Sequence, residues 1–238
     1  MESSSLLPPL FLAYPDAGAW ADAASADIAR ALAASLDIEG TARLLLSGGT
    51  TPAPVYRALA ERALDWQAVR VGLVDERWLP AGDADSNGRL VAESLLQGAA
   101  AQASFEPMLV AGRSLDEAVA EANASAMRGP DAVAVLGMGP DGHTASIFPG
   151  MRDYDAALAT REDYLAIDAS ASPVAGAWHT RITLGAAGLA RASQRLLLIR
   201  GDAKRERFQQ ALAGDDARAL PVRLAFHGDT PLRVHWCP

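Results

Sequence analysis

Cysteine and lysine are almost missing from this chain of 238 residues: Cys237 is the only cysteine and Lys204 the only lysine, every other basic side chain counted in its charge being an arginine. One thiol cannot form an internal disulfide, and a cysteine-based metal cluster is excluded; both fit a reducing cytosol. A basic excess is also absent. With a formal net charge of −8 and a pI near 5.0, no basic stripe offsets phosphate repulsion, so nucleic acid is not an expected partner. No apolar run approaches the roughly 20 residues of a membrane span. The amino-terminal Leu6-Leu7-Pro8-Pro9-Leu10-Phe11-Leu12 is short, lacks a basic leader and is broken by two prolines, so no signal peptide is expected and the chain reads as cytoplasmic. No G-x-S-x-G elbow, no G-K-[ST] phosphate loop and no His/Asp/Glu spacing suited to a metal occurs, and neither metal nor cofactor is expected.

What is present is ordinary globular composition, with 50% hydrophobic and 21% charged residues, in an alternation of strand-like and helix-like segments. Asp16 is placed to cap a helix in which Trp20, Ala24, Ile28 and Leu32 recur every four residues up to Gly40. Buried strands are expected at Ala42–Leu46, Val69–Val74, Ala132–Leu136, Tyr164–Ile167, Arg181–Leu184 and Arg195–Ile199, with a last short one at Val234–Trp236. Pro52 opens a helix, Ser86 caps one reaching Leu96, Ser114 and Glu117 form a capping box for one reaching Met127, and another spans Ala203–Ala213. Such alternation implies an α/β fold: a Rossmann-like, mainly parallel sheet with helices on both faces. No linker or repeat divides the chain, and residues 1–238 read as a single domain.

The densest chemistry is Gly137-Met138-Gly139-Pro140-Asp141-Gly142-His143-Thr144-Ala145-Ser146, at the carboxyl end of an expected strand. Ligands bind at that edge of open α/β sheets. Glycines let a ligand approach the backbone, and a histidine two residues from an aspartate is suited to proton transfer near neutral pH. Gly137, Gly139 and Gly142 also spell G-x-G-x-x-G, with Asp168 further on. A dinucleotide site would need a long helix from the third glycine, and Pro149-Gly150 prevents one. Three more strand ends carry polar groups. Ser47-Gly48-Gly49-Thr50-Thr51-Pro52 precedes a helix and reads as an anion cradle. Asp75-Glu76-Arg77 closes another strand. Lys204 follows Gly201 in the first turn of a helix, where a cation opposes the helix dipole unless an anion is near. Arg181 begins a strand, so spacing alone does not bring it to the same edge. His179, His227 and His235 have no comparable context and read as surface or packing residues.

Taken together, Ser47 through Pro52, Asp75-Glu76-Arg77, Ser86-Asn87, Gly137 through Ser146 with Phe148-Pro149-Gly150, Arg181-Ile182-Thr183 and Gly201 with Lys204 resemble the 6-phosphogluconolactonase family, within the wider glucosamine-6-phosphate isomerase/deaminase superfamily. The Asp-Gly-His-Thr-Ala-Ser-Ile-Phe-Pro-Gly form is similar to the lactonase version; deaminases typically carry Asn-Glu-Pro-Gly after the corresponding histidine. The resemblance implies hydrolysis of 6-phospho-D-glucono-1,5-lactone to 6-phosphogluconate, in the oxidative pentose phosphate pathway, by a monomer or small homo-oligomer. His143 would be the base, an ordinary imidazole pKa of about 6.5 being apt. Asp141 or Asp75 would orient it or hold substrate hydroxyls. N–H groups of the loop carrying Gly139 and Gly142 would serve the oxyanion. Ser47, Gly48, Gly49, Thr50, Arg77, Asn87, Arg181 and Lys204 would bind substrate, the phosphate falling to the Gly48–Thr50 backbone and the three cations. Two departures stand out: Gly88, where a bulkier residue is common and whose loop is expected to be looser, and the missing aspartate after Trp236. The alternatives on this scaffold are an isomerase/deaminase with Asp75 as carbon base and His143 assisting ring opening, and an inactive sugar-phosphate-binding regulator.

Overall fold

The computed structural model describes residues 7–80, 82–129 and 131–238; Leu6 of the amino-terminal apolar run lies outside them. In chain order the first elements are β1 (Leu10–Ala13), α1 (Ala17–Glu39), β2 (Ala42–Leu46), α2 (Ala53–Ala60), β3 (Val69–Leu73) and β4 (Asp75–Arg77). Then come α3 (Asn87–Ser94), β5 (Ser104–Phe105), α4 (Leu115–Ala126), β6 (Asp131–Gly137), α5 (Tyr154–Ala159) and β7 (Tyr164–Asp168). The last are β8 (Thr180–Leu184), α6 (Ala186–Arg191), β9 (Gln194–Arg200), α7 (Asp202–Ala213) and β10 (Arg233–Cys237).

Local chemistry accounts for the helix ends. The Asp16 carboxylate accepts the N–H of Ala19 at 2.8 Å, and Gly40, at φ +71°, takes the left-handed turn that ends α1. Trp20, Ala24, Ile28 and Leu32, the expected stripe, are fully buried; each large apolar side chain so placed contributes about 1.5–3 kcal/mol. Ser86 caps α3, and Ser114 with Glu117 forms the expected capping box of α4. All five residues of β2 and six of the seven in β6 are buried, the signature of strands covered on both faces. Among the described residues seven strands form a parallel sheet in the order β1-β10-β9-β6-β2-β3-β5. From β2 the chain moves outward through β3 to β5, then returns to β6 on the other side of β2 and continues to β9 and β10. The switch point lies between β2 and β6, where a crevice opens at the carboxyl edge.

Tyr164–Ile167 and Arg181–Leu184, expected as strands of the same sheet, lie instead in a separate antiparallel sheet ordered β4-β8-β7. The cause is at Val74. It interrupts the expected Val69–Val74 strand by donating its N–H to Leu46 O of the main sheet, while its carbonyl accepts Leu184 N–H of the small one, both at 2.9 Å. The chain therefore passes from one sheet into the other with its direction kept. Both sheets share one hydrophobic core. The short elements β1, β5, α5 and α6 carry too little periodicity to be anticipated. No helix among the described residues is long and apolar enough to cross a membrane.

His179 and His227 are exposed, whereas His235 is fully buried on β10. Its Nδ1 lies 3.0 Å from Tyr14 Oη and its Nε2 3.1 Å from Asp27 Oδ2. Burial, only partly opposed by the Asp27 charge, pushes the imidazole down to about 4. An unfolded chain binds this proton below about pH 6.5, the fold only near pH 4, so the contribution of His235 is complete above 6.5 and is lost as pH falls towards 4. Up to about 3 kcal/mol is at stake. Denaturation followed from pH 7.5 to 4.5 is expected to show a steeper stability loss in the wild type than in His235→Gln; parallel curves would remove His235 as the cause.

Candidate active site

At the switch point a cavity of about 240 Å³ is bounded by the carboxyl ends of β2, β6 and β9 and by β4 and β8. It gathers Ser47, Gly48, Gly49, Thr50, Asp75, Arg77, Asn87, Gly139, His143, Arg181 and Lys204 on one surface. Asp141 contacts His143 beside the cavity, and Gly142 does not line it. Among the described residues, no three His, Cys, Asp or Glu side chains converge as a metal site.

One wall is rich in unspent N–H donors and cationic side chains. β2 runs out at Leu46, and the chain turns through Gly48 and Gly49 into α2. Gly49 sits at φ +89°, and a Cβ on Gly48 would lie 1.8 Å from Asn87 Oδ1, so both turns require glycine. The N–H groups of Gly48, Gly49 and Thr50 donate to no acceptor among the described residues. Tyr56 Oη donates to Ser47 O at 2.8 Å, fixing the loop from beneath, and the buried Ser47 Oγ has no partner among those residues. Arg77 and Arg181 stand directly opposite each other on β4 and β8. Because β8 is antiparallel to β4, the start of the former meets the end of the latter, and this brings Arg181 to the cavity. Neither guanidinium has a carboxylate within 4 Å among the described residues: Arg77 donates to Asn87 Oδ1 at 3.1 Å and to Asp85 O, Arg181 to Trp178 O at 2.7 Å and Ala175 O at 2.6 Å. Burial pushes the Arg181 guanidinium below its ordinary range, with Asp75 opposing and Arg77 adding to the effect. Burial lowers the Lys204 ammonium as well. Three cations thus share one cavity, with Asp75 the acid lining it beside them and, among the described residues, no carboxylate in ion-pair contact with any of the three, an arrangement that a bound anion would stabilise.

The facing wall carries a preformed dyad. His143 Nδ1 lies 2.6 Å from Asp141 Oδ1, which also accepts the His143 N–H at 3.2 Å. Burial works to raise the Asp141 pKa, but the hydrogen bonds and charge of His143 hold the carboxyl below its usual range. An ionised Asp141 places the ring proton on Nδ1 and leaves Nε2 as acceptor. Of the two expected candidates, Asp141 is therefore the residue bound to the imidazole. Asp75 instead accepts from Ser146 Oγ at 2.5 Å. Gly139 is required because a Cβ there would fall 2.1 Å from His143 Cε1. Gly142, at φ +87°, shapes the turn against Leu220 and does not contact the cavity. No helix opens at Gly142, as expected from Pro149-Gly150.

Two expectations about loops change. Gly139 N–H donates to His143 O at 2.9 Å and Gly142 N–H to Gly139 O at 3.1 Å, so neither is available to an oxyanion. The loop at Gly88 is not loose. Its N–H and those of Arg77 and Asn87, with Ser86 Oγ, all donate to the buried Glu76 carboxylate at 2.7–3.0 Å. A Cβ on Gly88 would press on Phe105 Cζ at 3.3 Å. Sequence reasoning missed the roles of Ser146 on Asp75 and of Phe148, whose ring lies 4.4 Å from that of His143 and 5.7 Å from the Arg181 guanidinium. Both residues stand inside the noticed motif, but their partners are distant in sequence.

Known proteins resemble this chain over nearly its whole length. The family model described as glucosamine-6-phosphate isomerases/6-phosphogluconolactonase matches residues 15–236. A 6-phosphogluconolactonase of Xylella fastidiosa is 46% identical over 228 residues, 94% of each chain. One of Rhizobium meliloti is 38% identical over 230 residues, covering 94% of this chain and 97% of the relative. The crystal structure of a 6-phosphogluconolactonase from Shewanella baltica superposes with a TM-score of 0.90 at 33% identity, covering 98% of this chain and 99% of the other. The chain therefore belongs to the glucosamine-6-phosphate isomerase/6-phosphogluconolactonase family.

Proposed function

We propose that this protein hydrolyses 6-phospho-D-glucono-1,5-lactone to 6-phospho-D-gluconate, the hydrolytic step of the oxidative pentose phosphate pathway, in the cytoplasm. The observation that carries the reading is the pairing of an Asp141–His143 dyad with a wall of cations and unspent N–H groups across one cavity. The names of relatives at 46% and 38% identity over nearly the whole chain support it.

In this reading the phosphate sits against the Gly48, Gly49 and Thr50 N–H groups with Arg77, Arg181 and Lys204, and substrate hydroxyls meet Ser47, Asn87 and Asp75. His143 Nε2 takes a proton from water as its oxygen bonds to the lactone carbonyl carbon, and Asp141 steadies the imidazolium that forms. As the tetrahedral adduct collapses, the bond to the ring oxygen breaks. The imidazolium returns its proton to that oxygen, which becomes a hydroxyl, and the new acid loses its own proton to solvent. No cofactor enters the balance. Asp75 is occupied by the Ser146 hydroxyl, which favours a hydroxyl-holding role over that of a carbon base.

The direct test follows the decay of freshly made lactone by NMR with and without protein, subtracting spontaneous hydrolysis. Decay accelerated in proportion to protein concentration is expected, and a folded sample matching buffer would overturn the proposal. His143→Ala should lower kcat by about 10²- to 10⁴-fold with KM little changed, and Asp141→Asn should lower it less. An unaltered kcat in His143→Ala would take the imidazole out of the reaction. Lys204→Ala should instead raise KM by about ten- to a hundredfold, the equivalent of a charge-assisted hydrogen bond of about 1.5–3 kcal/mol. A KM equal to that of the wild type would end its phosphate role.

A further inference from the structure

The two cavity arginines are held by a chain of contacts that continues outside the cavity. Arg77 donates to the carbonyl of Asp85, and Arg181 donates through Nε to the carbonyl of Trp178 at 2.7 Å. The side chains of these two carbonyl-bearing residues meet each other: Trp178 Nε1 donates to Asp85 Oδ2 at 2.8 Å. The circuit Arg77–Asp85–Trp178–Arg181 thus closes across the loops following β4 and preceding β8. Its fourth side is the strand pairing that sets Arg77 opposite Arg181, extended by Trp78 N–H on Thr180 O at 2.9 Å. Asp85 and Trp178 are 93 positions apart, and neither lines the cavity.

Two facts make this circuit more than an ordinary surface contact. Like charges directly opposite in an antiparallel pair repel, so without restraint the guanidiniums would splay towards water. The exposed Asp85 carboxylate is engaged by a neutral indole, and among the described residues it forms no ion pair with either arginine, whose donors go to carbonyls and to Asn87. We propose that Asp85 and Trp178 form a clasp that positions Arg77 and Arg181 as a single anion-binding pair and so sets affinity for the phosphoryl end of the substrate. The proposal rests on the reading that the substrate's phosphate binds this wall. Asp85 and Trp178 are positioning residues and take no part in bond making.

The test uses Asp85→Ala, Trp178→Phe, the double variant and Asp85→Asn, with inorganic phosphate binding by calorimetry and lactone KM and kcat measured for each. Each of the two single variants that break the contact should weaken phosphate binding and raise KM by about three- to tenfold, with kcat within about twofold of wild type. The double variant should be no worse than the weaker single one, because one contact is lost in all three. Asp85→Asn keeps an acceptor for the indole and should stay near wild type. The proposal is overturned by a wild type that binds no phosphate, by phosphate affinity unchanged in either single variant, by additive losses in the double, or by kcat falling while KM holds. The two readings separate cleanly. Phosphate affinity that responds in a protein without lactone hydrolysis sinks the lactonase reading alone, and hydrolysis with unresponsive phosphate affinity sinks the clasp alone.

Discussion

The backbone of Val74 holds the two sheets in register: its N–H completes the ladder to Leu46, and its carbonyl accepts Leu184 N–H. Beside it, the carbonyl of Leu73 accepts the Tyr164 hydroxyl at 2.7 Å, so the last residue of β3 is tied to β7 as well. Because β3 runs on into β4 without reversing, Asp75 and Arg77 emerge beyond the carboxyl edge of the parallel sheet. The antiparallel β8 then delivers its first residues to the same place. All of the facing chemistry follows. Asp75 meets Ser146, Arg181 meets Arg77, and the Ser146 N–H donates to Thr183 Oγ1 at 3.0 Å, locking the dyad loop to the small sheet.

Charge is distributed unevenly on this frame. Arg43, as deeply buried as any cavity cation, ends on Glu106 and Asp131 at 2.8 and 2.9 Å, the common answer to a buried guanidinium. Arg181 ends on two backbone carbonyls instead. Carbonyls satisfy its N–H donors without cancelling its charge, so the residue is fixed in place yet still attractive to an anion. In a chain of net charge −8, such local positive potential has to come from specific placement, since the mean field works against it.

Elements with a local signature were legible in advance. The Trp20–Leu32 stripe, the Asp16 and Ser86 caps, the Ser114–Glu117 box and the buried runs of β2, β6 and β9 each carry their cause within a few residues. So do the glycines of the two cavity loops. Arg181 was recognisable by resemblance only, because its arrival depends on β8 leaving the main sheet, a consequence of Val74 that no periodicity encodes. Ser146 with Asp75 and Trp178 with Asp85 are side-chain pairings 71 and 93 positions apart, and such distances leave no trace in local pattern. The expectation of a looser loop at Gly88 failed for a related reason: the Glu76 carboxylate that collects its N–H lies 12 positions away.

The two walls of the cavity differ in one physical respect that bears on how they work. In the loop from Gly137 to Ser146 the polar groups are largely spent on each other: Gly139 and Gly142 N–H on loop carbonyls, His143 N–H on Asp141, Thr144 Oγ1 on Gly137 O at 2.9 Å. Ala145, at φ +50°, is held in a conformation that costs an L-residue about 1–2 kcal/mol, between the buried Thr144 and Ser146. A loop so saturated cannot easily rearrange, so the imidazole is oriented before any ligand arrives. The loop from Gly48 to Thr50 is the reverse, with its donors unspent and its shape set from beneath by Tyr56. Under the proposed reading the rigid loop places the proton and the unsatisfied loop holds the charge, so the site can lose binding without losing geometry, and substitutions on the two walls should separate into KM and kcat effects.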